Sequence, residues 1–409
     1  MKAASESVAS LRQAAERAEP ELVEQLLRLT AIDAPSGDLE ALAGAADAFG
    51  AELEELGCGV EEHRNDGITH LSARIGRADG RHVLALCHYD TVWPAGTAGE
   101  RPGRLQNGRL SGPGTFDMRG GITALLGALA IVGAGGLPLP LQLLLTGDEE
   151  TGSASSRELI EELARDAALV LVTEPPLPGG ALKTARKGWG AYTVFVSGRA
   201  AHAGLDPDSG VSAIDELMDV LRQVTDLRRP DSGTTVNVGT IRGGTRPNVI
   251  AADASADFEV RATTIAGQQR ADEALQALHA TREGARVSVA QHHSRPPMER
   301  TPAVAVAAAA ARELAGELGF DLSEGAAGGT SDANLVAPLG VPVLDGLGPE
   351  GDGAHALHEH VLVDSLVERT ALLAAILTYA LSPTAPRTGE GLPAPGWSRR
   401  PAGGSPRSR

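Results

Sequence analysis

Residues 82–90 read HVLALCHYD, an uninterrupted apolar run that ends in a histidine and, two residues later, an aspartate. A short run of this kind, without polar alternation, is typical of a strand buried on both faces of a sheet. Similar apolar runs occupy 141–145 and 169–172, and helix-like stretches at 120–132 and 155–164 separate them. This alternation predicts an α/β fold with a mostly parallel sheet flanked by helices.

The pattern changes near residue 183, where longer alternating strands and two helices follow one another. We therefore expect an inserted α+β domain over 183–293, which divides a catalytic domain into parts at 1–182 and 294–382. The last segment, 383–409, holds too few apolar residues to offset the entropy lost on ordering. It is predicted to be a disordered tail.

Composition and charge exclude several classes of partner. The chain has 409 residues with 53 acidic and 36 basic side chains, a net charge of −17. This excess repels nucleic-acid phosphates and anionic membranes, so neither is expected as a partner. The two cysteines, Cys58 and Cys87, cannot form a disulfide scaffold. The amino terminus is charged throughout and no run of about 18 apolar residues could span a bilayer, so we expect a soluble, cytoplasmic protein.

Acids and histidines follow the predicted strands at the edge of the sheet where ligands gather in α/β proteins. Taken singly, each has an ordinary explanation, such as a helix cap or a solvated loop. Taken together, they would place several carboxylates in one cleft, where like charges repel unless cations offset them. Two divalent ions would do so, zinc most simply, although cobalt and manganese accept the same ligands. The set comprises His88, Asp90, Asp117, Glu149, Glu150 and Glu174.

Eight motifs, in order, match one known family. The chain resembles the dinuclear zinc aminoacylase/carboxypeptidase family, which includes acetylornithine deacetylases, succinyl-diaminopimelate desuccinylases and glutamate carboxypeptidases. It resembles the glutamate carboxypeptidase-like branch most, over residues 20–382. The motifs are HYDTVWPAGT (88–97), GPGTFDMRGG (112–121), GDEETGSASS (147–156), VTEPP (172–176), SGRAAHAG (197–204), RPNVIAADASADFEVRA (246–262), GGTSDAN (328–334) and GAHALHEHV (353–361).

The resemblance implies a set of metal ligands. Carried over by position, His88 and Glu174 bind one zinc, and Asp117 bridges to the second. Glu150 and His355 bind that second ion. Each ion then keeps an open position for water, as a catalytic zinc does.

The sequence alone does not decide which of three histidines binds the second ion together with Glu150. His355, His358 and His360 lie within six residues of one another. The family's ligand stands four residues before a glutamate, and Glu359 therefore selects His355. The other two histidines are expected in a loop or at the surface, unless they contact substrate.

The resemblance also assigns catalytic roles. Glu149 matches the family's general base, and Asp90 would orient the imidazole of His88. His202 matches a histidine that reaches the active site of a partner subunit from the inserted domain and polarises the scissile carbonyl. This implies a homodimer through 183–293, which would act as a lid and dimerisation domain. The ordinary alternative for His202 is a hydrogen bond at a strand end.

The resemblance also implies contacts with the substrate. Arg295 and Arg261 match arginines that bind the product carboxylate in the family. A planar guanidinium suits this role because it can form two parallel hydrogen bonds with a carboxylate. Arg261 could instead form a structural ion pair. Asn248 matches a substrate-contacting asparagine, and Gly329 with Ser331 and Asp332 matches a glycine-rich substrate loop.

The function implied is hydrolysis of the amide bond to a carboxyl-terminal amino acid, by a water that two zinc ions activate and Glu149 deprotonates. The substrate would be a small peptide or N-acyl amino acid, and a glutamate carboxypeptidase-like activity is favoured. An N-acyl-amino-acid deacylase is the alternative enzyme, and a non-catalytic binding protein on the same fold is the alternative of another class. Arg119 and His360 depart from the family's usual lysine and tyrosine, which bears on substrate choice.

Overall fold

A computed structural model describes residues 2–76, 81–133, 140–229 and 233–379. The predicted disordered tail at 383–409 lies outside these residues. The α-helices are α1 (Lys2–Arg17), α2 (Glu19–Thr30), α3 (Leu39–Glu55), α4 (Thr97–Glu100), α5 (Gly120–Val132), α6 (Arg157–Arg165), α7 (Ala213–Thr225), α8 (Ile265–Gln276), α9 (Pro302–Leu318), α10 (Ala333–Val336) and α11 (Val363–Tyr379).

The strands form three sheets. They are β1 (Gly59–Asn65), β2 (Ile68–Ile75), β3 (His82–His88), β4 (Arg104–Gln106), β5 (Arg109–Ser111), β6 (Leu141–Thr146), β7 (Ala167–Val172), β8 (Leu182–Arg186), β9 (Gly188–Ser197), β10 (Thr235–Gly243), β11 (Asp253–Ala262), β12 (Arg286–Arg295), β13 (Glu324–Ala327), β14 (Val343–Asp345), β15 (Gly351–Asp352) and β16 (His360–Leu362).

The largest sheet has eight strands in the order β1-β2-β6-β3-β7-β14-β8-β13. Its centre is parallel, since β6, β3, β7 and β14 run in one direction. Antiparallel pairing of β1 with β2, β2 with β6, and β14 with β8 makes the sheet mixed. The predicted α/β class is confirmed, and the apolar runs form the parallel centre.

Both faces of this sheet are covered, which is why its central strands lack polar alternation. Val83 and Ala85 of β3 pack with α2, α3, α5 and α11 on one side. Leu84 and Leu86, which point to the opposite face, pack with α6 and α10. Successive residues of one strand therefore enter two separate cores.

Several helices begin where a short polar side chain caps the first free amides. Asp38 accepts a hydrogen bond from the amide of Ala41 at the start of α3. Ser212, Thr264 and Thr301 do the same for α7, α8 and α9.

A second sheet, in the order β10-β11-β9-β12, is entirely antiparallel. Residues such as Val194, Ala256 and Phe258 alternate toward α7 and α8 and form a core of their own. The opposite face holds polar side chains and the half-exposed Phe195. This part of the chain has the α+β composition predicted for an insertion, and the proposed domain limits stay a prediction.

A third, small sheet has the strand order β15-β16-β5-β4 and positions one of the predicted metal ligands. The hairpin of β15 and β16 presents the loop 353–359, which contains His355. Because β16 pairs with β5, this loop lies beside the segment that leads from β5 to Asp117. Residues far apart in sequence thus meet at one edge.

One helical segment, Thr115–Val132, is long and apolar enough to cross a membrane by length and composition. In the structure, 67% of it is buried inside the protein. It includes α5, whose apolar residues pack against α2 and α11. Burial in the core accounts for its composition.

Candidate metal centre

Asp117 lies between two histidines. Its Oδ1 is 3.2 Å from Nε2 of His88, and its Oδ2 is 3.5 Å from Nε2 of His355. Glu174 Oε1 lies 3.6 Å from Nε2 of His88, and Glu150 Oε1 lies 3.2 Å from Nε2 of His355. The two oxygens of Asp117 therefore face two separate pairs, each made of one imidazole and one glutamate.

Parallel strands bring these residues together. His88 is the last residue of β3 and aligns with Thr146, the last residue of β6. Glu149 and Glu150 form a helical turn after β6, and Glu174 follows β7 on the other side of β3. The carboxyl ends of neighbouring parallel strands meet at one edge, where ligands of α/β proteins bind.

The donor set fits divalent metal ions. Ligands about 2.0–2.1 Å from a tetrahedral zinc ion lie roughly 3.3 Å from each other, close to the spacings around Asp117. Donor atoms of His88, Asp117 and Glu150 lie within 4.8 Å of one another, as do those of His88, Glu149 and Glu174. Imidazole and carboxylate donors in this number match the ligands of catalytic zinc sites. The residues could hold two ions that share Asp117.

Proton affinities reflect the crowding of acids around the two histidines. Hydrogen bonds with Asp117 and Glu150 raise the pKa of His355 to about 10. Burial opposes protonation of His88, yet Asp117, Asp90 and Glu174 raise its pKa well above the ordinary value. Without metal, the imidazolium charges balance the carboxylates, which is the role that cations would take over.

Asp90 is fully buried beneath the predicted metal ligands and contacts two of them. Its carboxylate accepts hydrogen bonds from the amides of Glu149 and Glu150, each at 3.2 Å, and from Ser36 Oγ at 2.8 Å. Nδ1 of His88 lies 3.0 Å from the carbonyl oxygen of Asp90 and 3.4 Å from Oδ1. Asp90 therefore contacts the imidazole of His88 and also holds the turn that carries both glutamates, and its orienting role stays a prediction.

Glu359, used above only as a marker for His355, has a structural task of its own. Its side chain is fully buried and accepts hydrogen bonds from the amides of Gly114, Phe116 and Asp117, at 2.9–3.1 Å. Nε1 of Trp93 donates a fourth at 2.8 Å. The loop that presents Asp117 is thus tied to the loop that presents His355. Sequence spacing carried no signal for this contact.

Arg186 is a second residue whose role the sequence did not reveal. Its position near the inserted segment suggests a substrate contact, but the side chain is buried. Nε donates to Asp345 at 2.5 Å, Nη2 to Glu174 at 3.4 Å and Nη1 to the carbonyl of Gly329 at 3.2 Å. Arg186 therefore holds one oxygen of Glu174 while the other faces His88.

Glu149 lies beside Arg295. Its Oε1 accepts a hydrogen bond of 2.6 Å from Nη1 of Arg295, which is only 3% exposed. Burial raises the pKa of Glu149 to about 8, although the charge of Arg295 acts in the opposite direction. A buried carboxyl with proton affinity near neutrality has the property expected of a general base.

The loop 328–331 contains or contacts three other predicted substrate residues. Ser331 is buried, and its hydroxyl donates to Asp345 at 3.0 Å. Gly329 is exposed in the same loop. Arg261 forms two hydrogen bonds with Glu259, at 3.0 and 3.1 Å, and reaches the carbonyl of Gly328. An ion pair thus occupies part of the Arg261 guanidinium, as the alternative interpretation expected.

His202 and Asn248 are neighbours on the inserted segment, since His202 pairs with Val249. Both are exposed. Nδ1 of His202 accepts from the amides of Gly204 and Leu205, each at 3.1 Å. Within the described part of the chain, no hydrogen bond or ion pair joins His202 to the metal-ligand cluster. Among the residues that the structure describes, its Nε2 has no hydrogen-bond partner.

Of the three histidines left open above, His355 is the one in the cluster. His358 is exposed and lies 3.9 Å from Asp352. Nδ1 of His360 contacts the carbonyl of His358. Within the described residues, neither has a hydrogen bond or ion pair to the carboxylates around Asp117.

Comparisons with known proteins identify relatives over most of the chain. The model of peptidase family M20/M25/M40 matches residues 84–379. Carboxypeptidase G2 of Pseudomonas sp. (strain RS-16) is 30% identical over 386 residues, covering 91% of this chain and 92% of that protein. A succinyl-diaminopimelate desuccinylase of Gluconacetobacter diazotrophicus is 30% identical over 377 residues, covering 87% of this chain and 95% of that protein.

A solved structure supports the same fold. A tripeptidase from Staphylococcus aureus superposes with a TM-score of 0.73 at 23% identity, covering 88% of this chain and 98% of that one. At this level of identity the likeness concerns the fold alone.

Proposed function

Because the chain belongs to peptidase family M20/M25/M40, we propose that this metal-dependent hydrolase cleaves the amide bond to a carboxyl-terminal amino acid, as a glutamate carboxypeptidase does. The observation that carries the proposal is the position of Glu149. It is a mostly buried carboxyl with raised pKa, and its donor atom lies within 4.8 Å of those of His88 and Glu174. A base beside a metal-ligand cluster suits hydrolysis by an activated water.

The proposed metal ligands are His88, Asp117, Glu150, Glu174 and His355. Divalent ions held there, zinc in our proposal and cobalt or manganese as alternatives, would polarise the scissile carbonyl and lower the pKa of a water molecule.

The protein's own groups then divide the remaining work. Glu149 takes the proton of the attacking water and returns it to the departing amine. Asp90 keeps the His88 ring in place and holds the turn of Glu149 through backbone amides. His202 donates a hydrogen bond to the oxyanion in the partner subunit's site, which requires a homodimer through the inserted domain.

For the substrate's carboxylate, the proposed contacts are Arg261, Asn248, Gly329 and Ser331. Gly329 and Ser331 lie in a loop whose Gly328 carbonyl accepts a hydrogen bond from Arg261, and Arg261 keeps a half-exposed side chain. We place the enzyme in the cytoplasm, because Cys58 and Cys87 are both unpaired thiols. Small peptides or N-acyl amino acids are the proposed substrates.

The proposal is tested by amine release from α- and γ-linked peptides ending in glutamate, with zinc-loaded protein. Glu149→Gln, which keeps size and hydrogen bonding but cannot accept a proton, is the matched control. Release that the wild type performs and Glu149→Gln lacks supports the carboxypeptidase. No release by a wild type with two bound metals contradicts it.

A deacylase is a second candidate, because a succinyl-diaminopimelate desuccinylase matches this chain with the same 30% identity. Faster release from N-succinyl or N-acetyl amino acids than from peptides would favour it. The same panel of substrates therefore separates the two activities.

A further inference from the structure

Three side chains behind Glu149 form a buried charged group that the proposed reaction does not use. Arg295 ends β12, Asp332 precedes α10, and Ser153 follows the turn of Glu149. Their exposures are 3%, 4% and 0%. Charged side chains are rarely buried this deeply unless they are paired for a purpose.

A chain of hydrogen bonds connects Asp332 to Glu149 through Ser153 and Arg295. Thr146 and Ser153 donate hydrogen bonds to the two oxygens of Asp332. Nη2 of Arg295 donates to Ser153 Oγ at 2.5 Å and lies 3.4 Å from Asp332 Oδ1. Nη1 of the same arginine donates to Oε1 of Glu149 at 2.6 Å.

The backbone of the turn is held as well. Nη2 of Arg295 lies 3.2 Å from the carbonyl oxygen of Glu149. One planar guanidinium therefore fixes both the main chain and the side chain of this residue. Oε1 is occupied by the arginine, which leaves the second carboxylate oxygen of Glu149 to exchange protons.

We propose that Asp332 and Ser153 are positioning residues, which hold Arg295 so that it aims the carboxylate of Glu149 at the reacting water. This inference rests on the proposed function, because it assumes that Glu149 is the base. It gives Arg295 a different task from the carboxylate binding inferred from the sequence. Both Nη groups of this guanidinium are engaged by the protein and the residue is 3% exposed, so that only its buried Nε lacks a partner among the described residues.

The first test is kinetic. Asp332→Asn keeps the size of the side chain and one of the two acceptor oxygens, replaces the other oxygen by an amide donor and removes the charge that anchors Arg295. We expect kcat to fall about 10- to 100-fold, as for other residues that orient catalytic groups, with KM unchanged. Ser153→Ala, the milder variant, should lower kcat less.

Glu216→Gln is the matched control. Glu216 is also a fully buried carboxylate that pairs with an arginine, Arg282, but it lies on α7, in the inserted segment. Its substitution should lower the melting temperature and leave kcat unchanged. A rise in KM at constant kcat in Asp332→Asn and Arg295→Lys would overturn the proposal.

A second readout does not depend on activity. Melting temperatures of Arg295→Met, Asp332→Asn, Glu149→Gln and the pairwise double variants report whether the side chains interact. We expect the losses to be non-additive for both pairs that include Arg295. Additive losses overturn the arrangement even if the enzyme is active. If the variants show non-additive losses of melting temperature but the wild type hydrolyses no substrate, the arrangement of side chains stands and the proposed function is refuted.

Discussion

At the scale of single residues, the protonation of the two histidines decides how metal enters. Both His88 and His355 have raised pKa values because carboxylates surround them. At pH 7 both rings are therefore protonated in the metal-free protein. A ring must lose its proton before its nitrogen can bind a metal ion, so the site exchanges protons for metal.

We predict that zinc binding at pH 7 releases about two protons, one from each histidine. Zinc affinity should rise with pH up to about 10, where His355 becomes neutral without metal. Calorimetric titration in buffers of different ionisation enthalpy measures the protons released. His355→Asn should reduce the number by one. Binding without proton release would contradict these protonation states.

Glu359 offers a second prediction at this scale. Its carboxylate binds three backbone amides of the loop that presents Asp117. Glu359→Gln replaces one acceptor oxygen by a donor and must break at least one of these bonds. Zinc affinity should fall about 10- to 100-fold, as expected for a residue that orients ligands. Competition with a chelator measures the affinity.

Trp93→Phe is the control for Glu359, because it removes one side-chain donor and leaves the amides in place. Its zinc affinity should stay close to that of the wild type. An equal loss in both variants would mean that packing at this point, rather than the hold on the Asp117 loop, determines affinity.

At the scale of elements, the end of β7 and the start of α5 are in direct contact. A Cβ on Gly121 would lie 1.8 Å from the carbonyl oxygen of Thr173. Thr173 precedes Glu174, so any shift of this contact moves a proposed metal ligand. Glycine is required here because the helix touches the backbone of a neighbouring strand end.

Gly121→Ala should therefore destabilise the protein by about 1–3 kcal/mol, as overpacking does, and weaken zinc binding. Gly44→Ala is the matched helical control, since nothing lies within 4 Å of its Cβ position. There the substitution should stabilise by about 0.5–1 kcal/mol. Chemical unfolding with and without zinc measures both effects. A Gly121→Ala protein with wild-type stability and zinc affinity would contradict the contact.

The elements also show how far sequence reasoning reaches. The buried strands were predictable because apolar runs with no polar alternation have few other places in a fold. The helix predicted at 155–164 begins two residues later, at Arg157, because Ser155 and Ser156 donate hydrogen bonds to Asp148. Local capping of this kind competes with a hydrophobic pattern, and the pattern alone does not reveal it.

The candidate site divides in the same way. The family resemblance inferred from the motifs is confirmed, and the proposed ligands meet at one sheet edge. Glu359 and Arg186 were missed because their partners lie far away in sequence, as Gly114 does from Glu359. Such contacts depend on the third sheet and on loops, whose mutual positions no local pattern encodes.

At the scale of the whole molecule, the segment 183–293 carries the histidine that the family resemblance assigns to a partner subunit's site. His202 is exposed, and its Nδ1 is occupied by backbone amides. Within the described residues, it has no contact with the cluster of its own chain. If His202 acts in catalysis by reaching a partner's site, then each active site consists of residues from two subunits.

Mixing two inactive variants tests this arrangement. In a dimer of one Glu149→Gln subunit and one His202→Ala subunit, one site contains both substitutions and the other contains neither. After equal amounts are unfolded and refolded together, random pairing should give about a quarter of the wild-type activity. Each variant refolded alone is the control and should stay inactive. If His202 served its own chain, every site would contain one lesion, and mixing would restore no activity.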